Sequence, residues 1–165
     1  MINWIIRTGE PRDSEIIADF NQAMALETEN KVLKKNIIRR GVARLIDNPA
    51  MGFYLVGGID DRIYGSLMIT YEWTDWRDGL FWWIQSVYVE PAYRRKGLFR
   101  ALYNHIWNMA LKTEDVRGIR LYVEKDNLVA CKTYEMLGMK ETPYRLYERI
   151  VDQPIERNGY APDRR

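Results

Sequence analysis

Cysteine and histidine each occur once in this chain, as Cys131 and His105. A single cysteine allows no intramolecular disulfide, which fits a reducing cytoplasm. With one residue of each kind a Cys/His zinc site is not expected, and no metal is assigned. No apolar run is long enough to span a bilayer, and Arg7, Glu10 and Arg12 break up the N-terminal stretch. Neither a membrane span nor a signal peptide is therefore expected. A large charge of one sign is missing as well: 25 basic and 23 acidic residues leave a net charge of +2. That argues against a general nucleic-acid coat and leaves room for a local basic patch. There is no Gly-x-x-x-x-Gly-Lys-Ser/Thr loop and no paired-glycine fingerprint at a strand end, so a nucleoside triphosphate or dinucleotide is not the first expectation. Internal repeats and low-complexity segments are absent too.

What is present suits a folded domain. Of 165 residues, 47% are hydrophobic and 29% charged, enough for one core with a solvated surface. A single domain is expected over residues 1–165, with a polar, proline-containing tail from about 152 to 165.

Periodicity sets the element order. "NWIIRTG" reads as a short strand ended by glycine. Ile16, Phe20 and Met24, with Ile17 and Ala23 beside them, form the apolar face of a helix. Val32, Ile37 or Ile38, Val42, Leu45 and Ile46 form a second, stopped at Asp47-Asn48-Pro49. "GFYLVGG", "RIYGSLMITYEW" and "GLFWWIQSVYVE" are strands, the last two joined as a long hairpin around "TDWRDG". Leu98, Leu102, Ile106 and Met109 line a third helix, and "GIRLYVE" follows as a strand. Asp126 or Asn127 caps a fourth helix carrying Ala130, Tyr134 and Leu137, which Gly138 ends. "YRLYERIV" reads as a final strand. The class is α/β (α+β with a mixed sheet), and the strand–helix–strand unit around the third helix predicts a parallel crossover.

The junction "VYVEPAYRRKGLFRALYNHI" concentrates chemistry. Arg94, Arg95, Lys96 and Gly97 stand between a strand and a helix, with Arg100 just beyond. A helix N-terminus offers unpaired N–H groups and a partial positive charge. Glycine permits close approach, and the cations add charge-assisted bonds to phosphate oxygens. The junction reads either as an anion pocket fit for a pyrophosphate or as a solvated basic turn.

Val87-Tyr88-Val89-Glu90-Pro91 followed by Arg94-Arg95-Lys96-Gly97-Leu98-Phe99 resembles the Arg/Gln-x-x-Gly-x-Gly/Ala signature of the GNAT superfamily of acyl-CoA-dependent N-acetyltransferases. "VEKDNLVACKTYEMLGM" resembles that family's second segment, with Asn127, Ala130, Tyr134 and Gly138 in the usual places. The element order matches over nearly the whole chain. One departure is Phe99, where Gly or Ala is usual; its N–H remains a donor, and its ring must turn away from the ligand.

The resemblance implies a central mixed sheet of six to seven strands flanked by about four helices. It implies acetyl-CoA as co-substrate, lying where the fourth strand splays from the fifth. Val87, Tyr88 and Val89 would line the pantetheine arm, the first and third through their backbones. Arg94, Arg95, Lys96, Gly97, Leu98, Phe99 and Arg100 would surround the pyrophosphate. Asn127 and Tyr134 would lie near the thioester. Tyr134 then reads as the acid for the departing thiolate, or as a packed aromatic; Asn127 as a cofactor contact, or as a helix cap.

An alkylamine must shed a proton before it can attack, since its pKa is about 10 by analogy with lysine. Some family members carry a glutamate on the fourth strand, where this chain has Trp83, Ile84 and Gln85. Glu72 and Glu27 are the substitutes, each acting through water or else a solvated carboxylate; direct attack by an already neutral amine is the third option. Glu27, Glu29, Trp73, Asp75 and Trp83 suit a cationic acceptor through ion pairing and cation–π attraction. The expected acceptor is a small-molecule amine or a lysine side chain, in the cytoplasm. Tryptophans outside the core also permit a homodimer. Two other functions fit the same residues: a non-catalytic acyl-CoA-binding or sensing module, and, with less support from the charge, a nucleic-acid binder using Arg94 to Arg100.

Overall fold

Alternating apolar residues and two tight turns build the sheet. The computed structural model describes residues 2–151, and the tail expected over 152–165 lies outside the described residues. The chain divides into two compact units, Met1–Tyr122 and Val123–Arg165.

The first unit holds five strands: β1 (Ile5–Thr8), β2 (Gly52–Ile59), β3 (Arg62–Thr74), β4 (Gly79–Val89) and β5 (Val116–Leu121). They lie side by side in chain order, antiparallel from β1 to β4. β5 runs parallel to β4, as the crossover predicts. The helices are α1 (Ser14–Glu29), α2 (Lys35–Ile46) and α3 (Leu98–Lys112). α1 ends where Asn30 takes a left-handed conformation, φ 50°.

Strand alternation gives each face its own core. Tyr54 and Val56 pack with Ile17, Ala18, Val42 and Leu45 of α1 and α2. On the other face Leu55, Leu67, Ile69 and Ile84 are fully buried, as are Leu98, Leu102 and Ile106 of α3. Each of those side chains contributes roughly 2 kcal/mol by burial, so packing rather than a cap fixes α3. A Cβ at Gly57 would lie 2.6 Å from Leu98 Cδ1 and 2.8 Å from Ile6 Cδ1. The missing side chain lets the start of α3 sit against the sheet.

The second unit contains α4 (Leu128–Met136). Asn127 Oδ1 accepts from the Ala130 N–H at 3.1 Å, which caps it. Gly138, at φ 85°, turns the chain out at the other end. The strand expected over Tyr144–Val151 does not form, so the described residues hold five strands rather than six to seven. The period-two pattern is present, yet Leu146 and Ile150 are each 70% exposed. Alternation without a partner to bury one face does not make a strand.

Candidate functional site

A bulge shapes the end of β4. Ser66 pairs with Tyr88 and Met68 with Gln85, so Ser86 and Val87 together oppose the single residue Leu67. Ser86 adopts φ 48°, a left-handed conformation uncommon for a side-chain-bearing residue. β5 pairs with β4 only from Leu80 to Ile84, so Gln85 to Val89 continue without that neighbour. The Glu90 N–H donates to the Tyr64 carbonyl of β3 at 2.8 Å. Successive residues in a strand point their backbone groups to opposite sides, so Val89 turns its own N–H and C=O away from β3.

The basic junction follows at once. Pro91–Tyr93 make a short 3-10 turn; Arg95 (φ 61°) and Gly97 (φ 89°) are both left-handed. Gly97 opens α3 without a side-chain cap. Arg94, Arg95, Lys96 and Arg100 are exposed, while Leu98 is anchored in the core. The Phe99 ring lies near Tyr103 one turn along α3, 6.4 Å between centroids, as its bulk requires. Aromatic residues underlie the turn: the Trp4 indole N–H donates to the Lys96 carbonyl at 3.1 Å, and Tyr93 stacks on Tyr64 at 3.8 Å.

Arg94 is already engaged within the protein. Its Nη2 lies 2.6 Å from Glu27 Oε2, and its Nε donates to the Val89 carbonyl at 2.8 Å. The Tyr88 hydroxyl donates to the other Glu27 oxygen at 3.4 Å, and the Tyr88 ring packs on Phe20 of α1. Burial raises the Tyr88 pKa, and the neighbouring Glu27 charge adds to the effect.

A second polar group lies on the same face of the sheet, because residues directly opposite share a face. Thr70 is opposite Trp83, Glu72 is opposite Phe81, and Trp83 is opposite Arg120. Glu72 accepts from the Trp83 indole and from Arg120, the latter at 2.6 Å. The Arg120 guanidinium lies 3.7 Å above the centre of the Phe81 ring, and Trp83 stacks on Tyr122 at 4.3 Å. Gln85 donates to Thr70 at 2.5 Å. A polar ribbon thus runs from Glu27 and Tyr88 through Gln85 to Trp83, Glu72 and Arg120.

The structure brings Glu27, Glu72, Trp83 and the β4 end onto one face and leaves other expected residues elsewhere. Trp73 is 61% exposed and points to the opposite face from Trp83. Asp75 accepts from the Trp76 N–H at 2.9 Å within the hairpin tip. Glu29 pairs with Lys31 at 3.9 Å. In the second unit the Asn127 oxygen serves as the cap of α4, and burial, with the Cys131 charge adding, raises the Tyr134 pKa. Sequence reasoning missed Arg120, Tyr122, Ser86 and Trp4. Arg120 stands in an ordinary strand pattern 48 positions from Glu72, so no spacing signalled the pair.

A cavity of about 750 Å³ opens elsewhere, between β1 and the β2–β3 turn, lined by Arg7, Asp13, Asp60, Asp61, Arg62 and Glu90 among others. Arg7 and Asp13 are matched there in a two-bond pair of 2.6 and 2.8 Å, which explains its charged wall without a ligand. Among the described residues no cluster of His, Cys, Asp and Glu could hold a metal, and no helix is long and apolar enough to cross a membrane.

Comparisons with known proteins bear on the family and the fold. The model of the Acetyltransferase (GNAT) family matches residues 17–139. The crystal structure of "a possible acetyltransferase" from Clostridium difficile 630 is 45% identical, with a TM-score of 0.85, covering 91% of this chain and 99% of that one. A "predicted acetyltransferase with acetyl-CoA" from Clostridium acetobutylicum shares the fold at TM-score 0.72 and 16% identity, over 89% of this chain and 96% of that one. The N-terminal acetyltransferase B complex catalytic subunit NAA20 of Arabidopsis thaliana is 30% identical over 101 residues, 60% of this chain. The match spans about half, 53%, of that curated relative's length.

Proposed function

Because this chain belongs to the GNAT acetyltransferase family, we propose that it moves an acetyl group from acetyl-CoA to a primary amine by direct attack in a ternary complex. The observation that carries this reading is the end of β4. There β5 stops opposite Ile84, Val89 turns its backbone groups away from β3, and a left-handed Gly97 opens α3 among exposed cations. Those features fit coenzyme A. A peptide-like arm needs strand donors and acceptors, and a pyrophosphate needs helix N-terminal amides that no Cβ crowds.

Acetyl-CoA supplies a thioester carbonyl for attack and a thiolate that leaves. Val87 and Val89 hold the arm through their backbones, beside Tyr88. The amides from Gly97 through Leu98 and Phe99 to Arg100 hold the pyrophosphate, with the side chains of Arg95, Lys96 and Arg100 adding charge. A backbone N–H at the bulge polarises the carbonyl, where negative charge develops. Tyr134 protonates the thiolate, a role that rests on the family resemblance; its raised pKa keeps the phenol protonated at neutral pH. A cofactor contact for Asn127 rests on the same family resemblance; its oxygen is the cap of α4.

The amine lies along the polar ribbon. Trp83 offers a π face, and Glu72 offers a carboxylate already ion-paired with Arg120. Glu72 receives the amine's proton through water, because its direct contacts are both donors from the protein. Acceptors to try are small amines, lysine side chains and, given the name of the plant relative, the N-terminal amine of a peptide. The test is thiol release from acetyl-CoA against such a panel. Release above hydrolysis supports the proposal; binding of acetyl-CoA with no release for any amine favours a non-catalytic acyl-CoA-binding module. That second reading draws on one observation: both candidate carboxylates, Glu27 and Glu72, are held by arginines.

A further inference from the structure

Arg94 begins the signature that suggests phosphate binding, yet its donors point back into the protein. One nitrogen meets Glu27 at 2.6 Å and another the Val89 carbonyl at 2.8 Å. Its guanidinium also lies 5.5 Å from the centre of the Tyr88 ring, whose hydroxyl donates to Glu27. Four residues from three places are thereby joined: the last turn of α1, the end of β4 and the basic junction. Glu27 and Arg94 are separated by 67 positions in sequence.

We infer that Glu27 and Arg94 form a positioning pair for the pantetheine arm, rather than a general base and a phosphate ligand. A guanidinium is a planar fork, able to serve a carboxylate and a carbonyl at once. Glu27 fixes one prong, and the other then sets the Val89 carbonyl that the strand has turned away from β3. The pair acts on the arm through Val89, and on the acceptor side through the end of α1 and Tyr88. It also neutralises one cation of the junction, leaving Arg95, Lys96 and Arg100 as the phosphate-facing charges. The pair is 40–43% exposed by side chain, and such pairs add little to stability, so a purely structural role would leave no mark on ligand binding.

The inference rests on the acetyl-CoA reading, and two ligands separate the two. Coenzyme A carries pyrophosphate and arm; adenosine 3′-phosphate 5′-diphosphate carries the pyrophosphate alone. Both would be titrated by calorimetry into the wild-type chain and into Glu27→Gln, Arg94→Gln, Arg94→Lys and the double Gln variant. Each single Gln variant is expected to weaken coenzyme A about 5- to 10-fold, and the double variant no more than either single, since the two act as one unit. Arg94→Lys is expected to behave like Arg94→Gln, because an ammonium keeps the charge and loses the fork. Binding of the fragment without the arm is expected to stay within about twofold throughout.

Three results would overturn the pair while leaving the acetyl-CoA reading standing. Loss of fragment affinity in Arg94→Gln, restored by Arg94→Lys and absent in Glu27→Gln, makes Arg94 a phosphate ligand. Independent, additive losses separate the two residues. Unchanged coenzyme A affinity in every variant leaves only a surface ion pair. A wild-type chain that binds neither ligand defeats the acetyl-CoA reading itself, and the pair with it.

Discussion

Tyr134 is half-buried, and burial first, then the Cys131 charge, lifts its pKa above the ordinary 10.0. A phenol acting as acid must carry its proton, so in the proposed role of Tyr134 activity would hold through neutral pH and fall only as pH climbs past that raised value. Tyr134→Phe is expected to lower turnover about 100-fold while leaving acetyl-CoA affinity unchanged, read by thiol release and calorimetry. Glu72→Gln separates two roles for one carboxylate. If Glu72 relays the amine's proton, turnover falls on the low-pH side of the profile; a wild-type profile in the variant removes it from the chemistry. Asp13 offers a stability test. Burial opposes its ionisation, but the Arg7 hydrogen bond and charge and the Glu10 N–H outweigh that and hold its pKa below the usual range. A depressed carboxylate stabilises the fold above its unfolded pKa, about 3.9, and that contribution disappears as pH falls through the lower folded value. Asp13→Ala is expected to cost about 2 kcal/mol at neutral pH, with Arg7 partly solvated, and progressively less in acid. Urea unfolding at neutral and acid pH would show it. Residue types announced these candidates, but partners did not appear in the pattern. Glu27 and Glu72 looked alike in sequence, and only the register of β3, β4 and β5 gave one Arg120 and the end of α1 gave the other Arg94.

The junction between β4 and α3 was the most legible part of the chain, because two local rules coincide there. A run of β-formers ends at a proline, and apolar residues then recur at helical spacing from Leu98 onward. What stayed hidden was the bulge. Nothing in "WIQSVYV" marks Ser86 as left-handed; that conformation comes with the bulge, where Ser86 and Val87 together oppose the single residue Leu67 of the neighbouring strand. The final strand failed for the complementary reason: alternation was visible in "YRLYERIV", and whether a partner buries one side is not a local property. Gly97 tests the junction. A Cβ there would meet only Trp4 Nε1 at 4.0 Å, so space is available and the cost is conformational. Gly97→Val is expected to destabilise by about 1–2 kcal/mol through its φ of 89° and to weaken coenzyme A at least tenfold. Wild-type affinity in that folded variant would remove the helix N-terminus from the site.

Under the acetyl-CoA proposal, the ligand should raise the chain's stability by mass action. At 100 times the dissociation constant, acetyl-CoA stabilises the native state by about 2.7 kcal/mol. For a protein of this length that is an upward shift of several degrees, roughly 5–10 °C, in the thermal midpoint, measurable by calorimetric scanning. Reductant should leave the midpoint where it is, since Cys131 is a free thiol and closes no loop. The element order read from periodicity had already pointed to a mixed α/β domain, and the sheet with its parallel last pair agrees, with five strands among the described residues rather than six to seven. One contact has a practical use. The Trp4 indole is bonded to the Lys96 carbonyl, at the turn where a nucleotide would dock. Its emission therefore serves as a built-in optical gauge: light from this ring, isolated by comparison with a Trp4→Phe chain, would report loading in real time without a dye or a coupled assay.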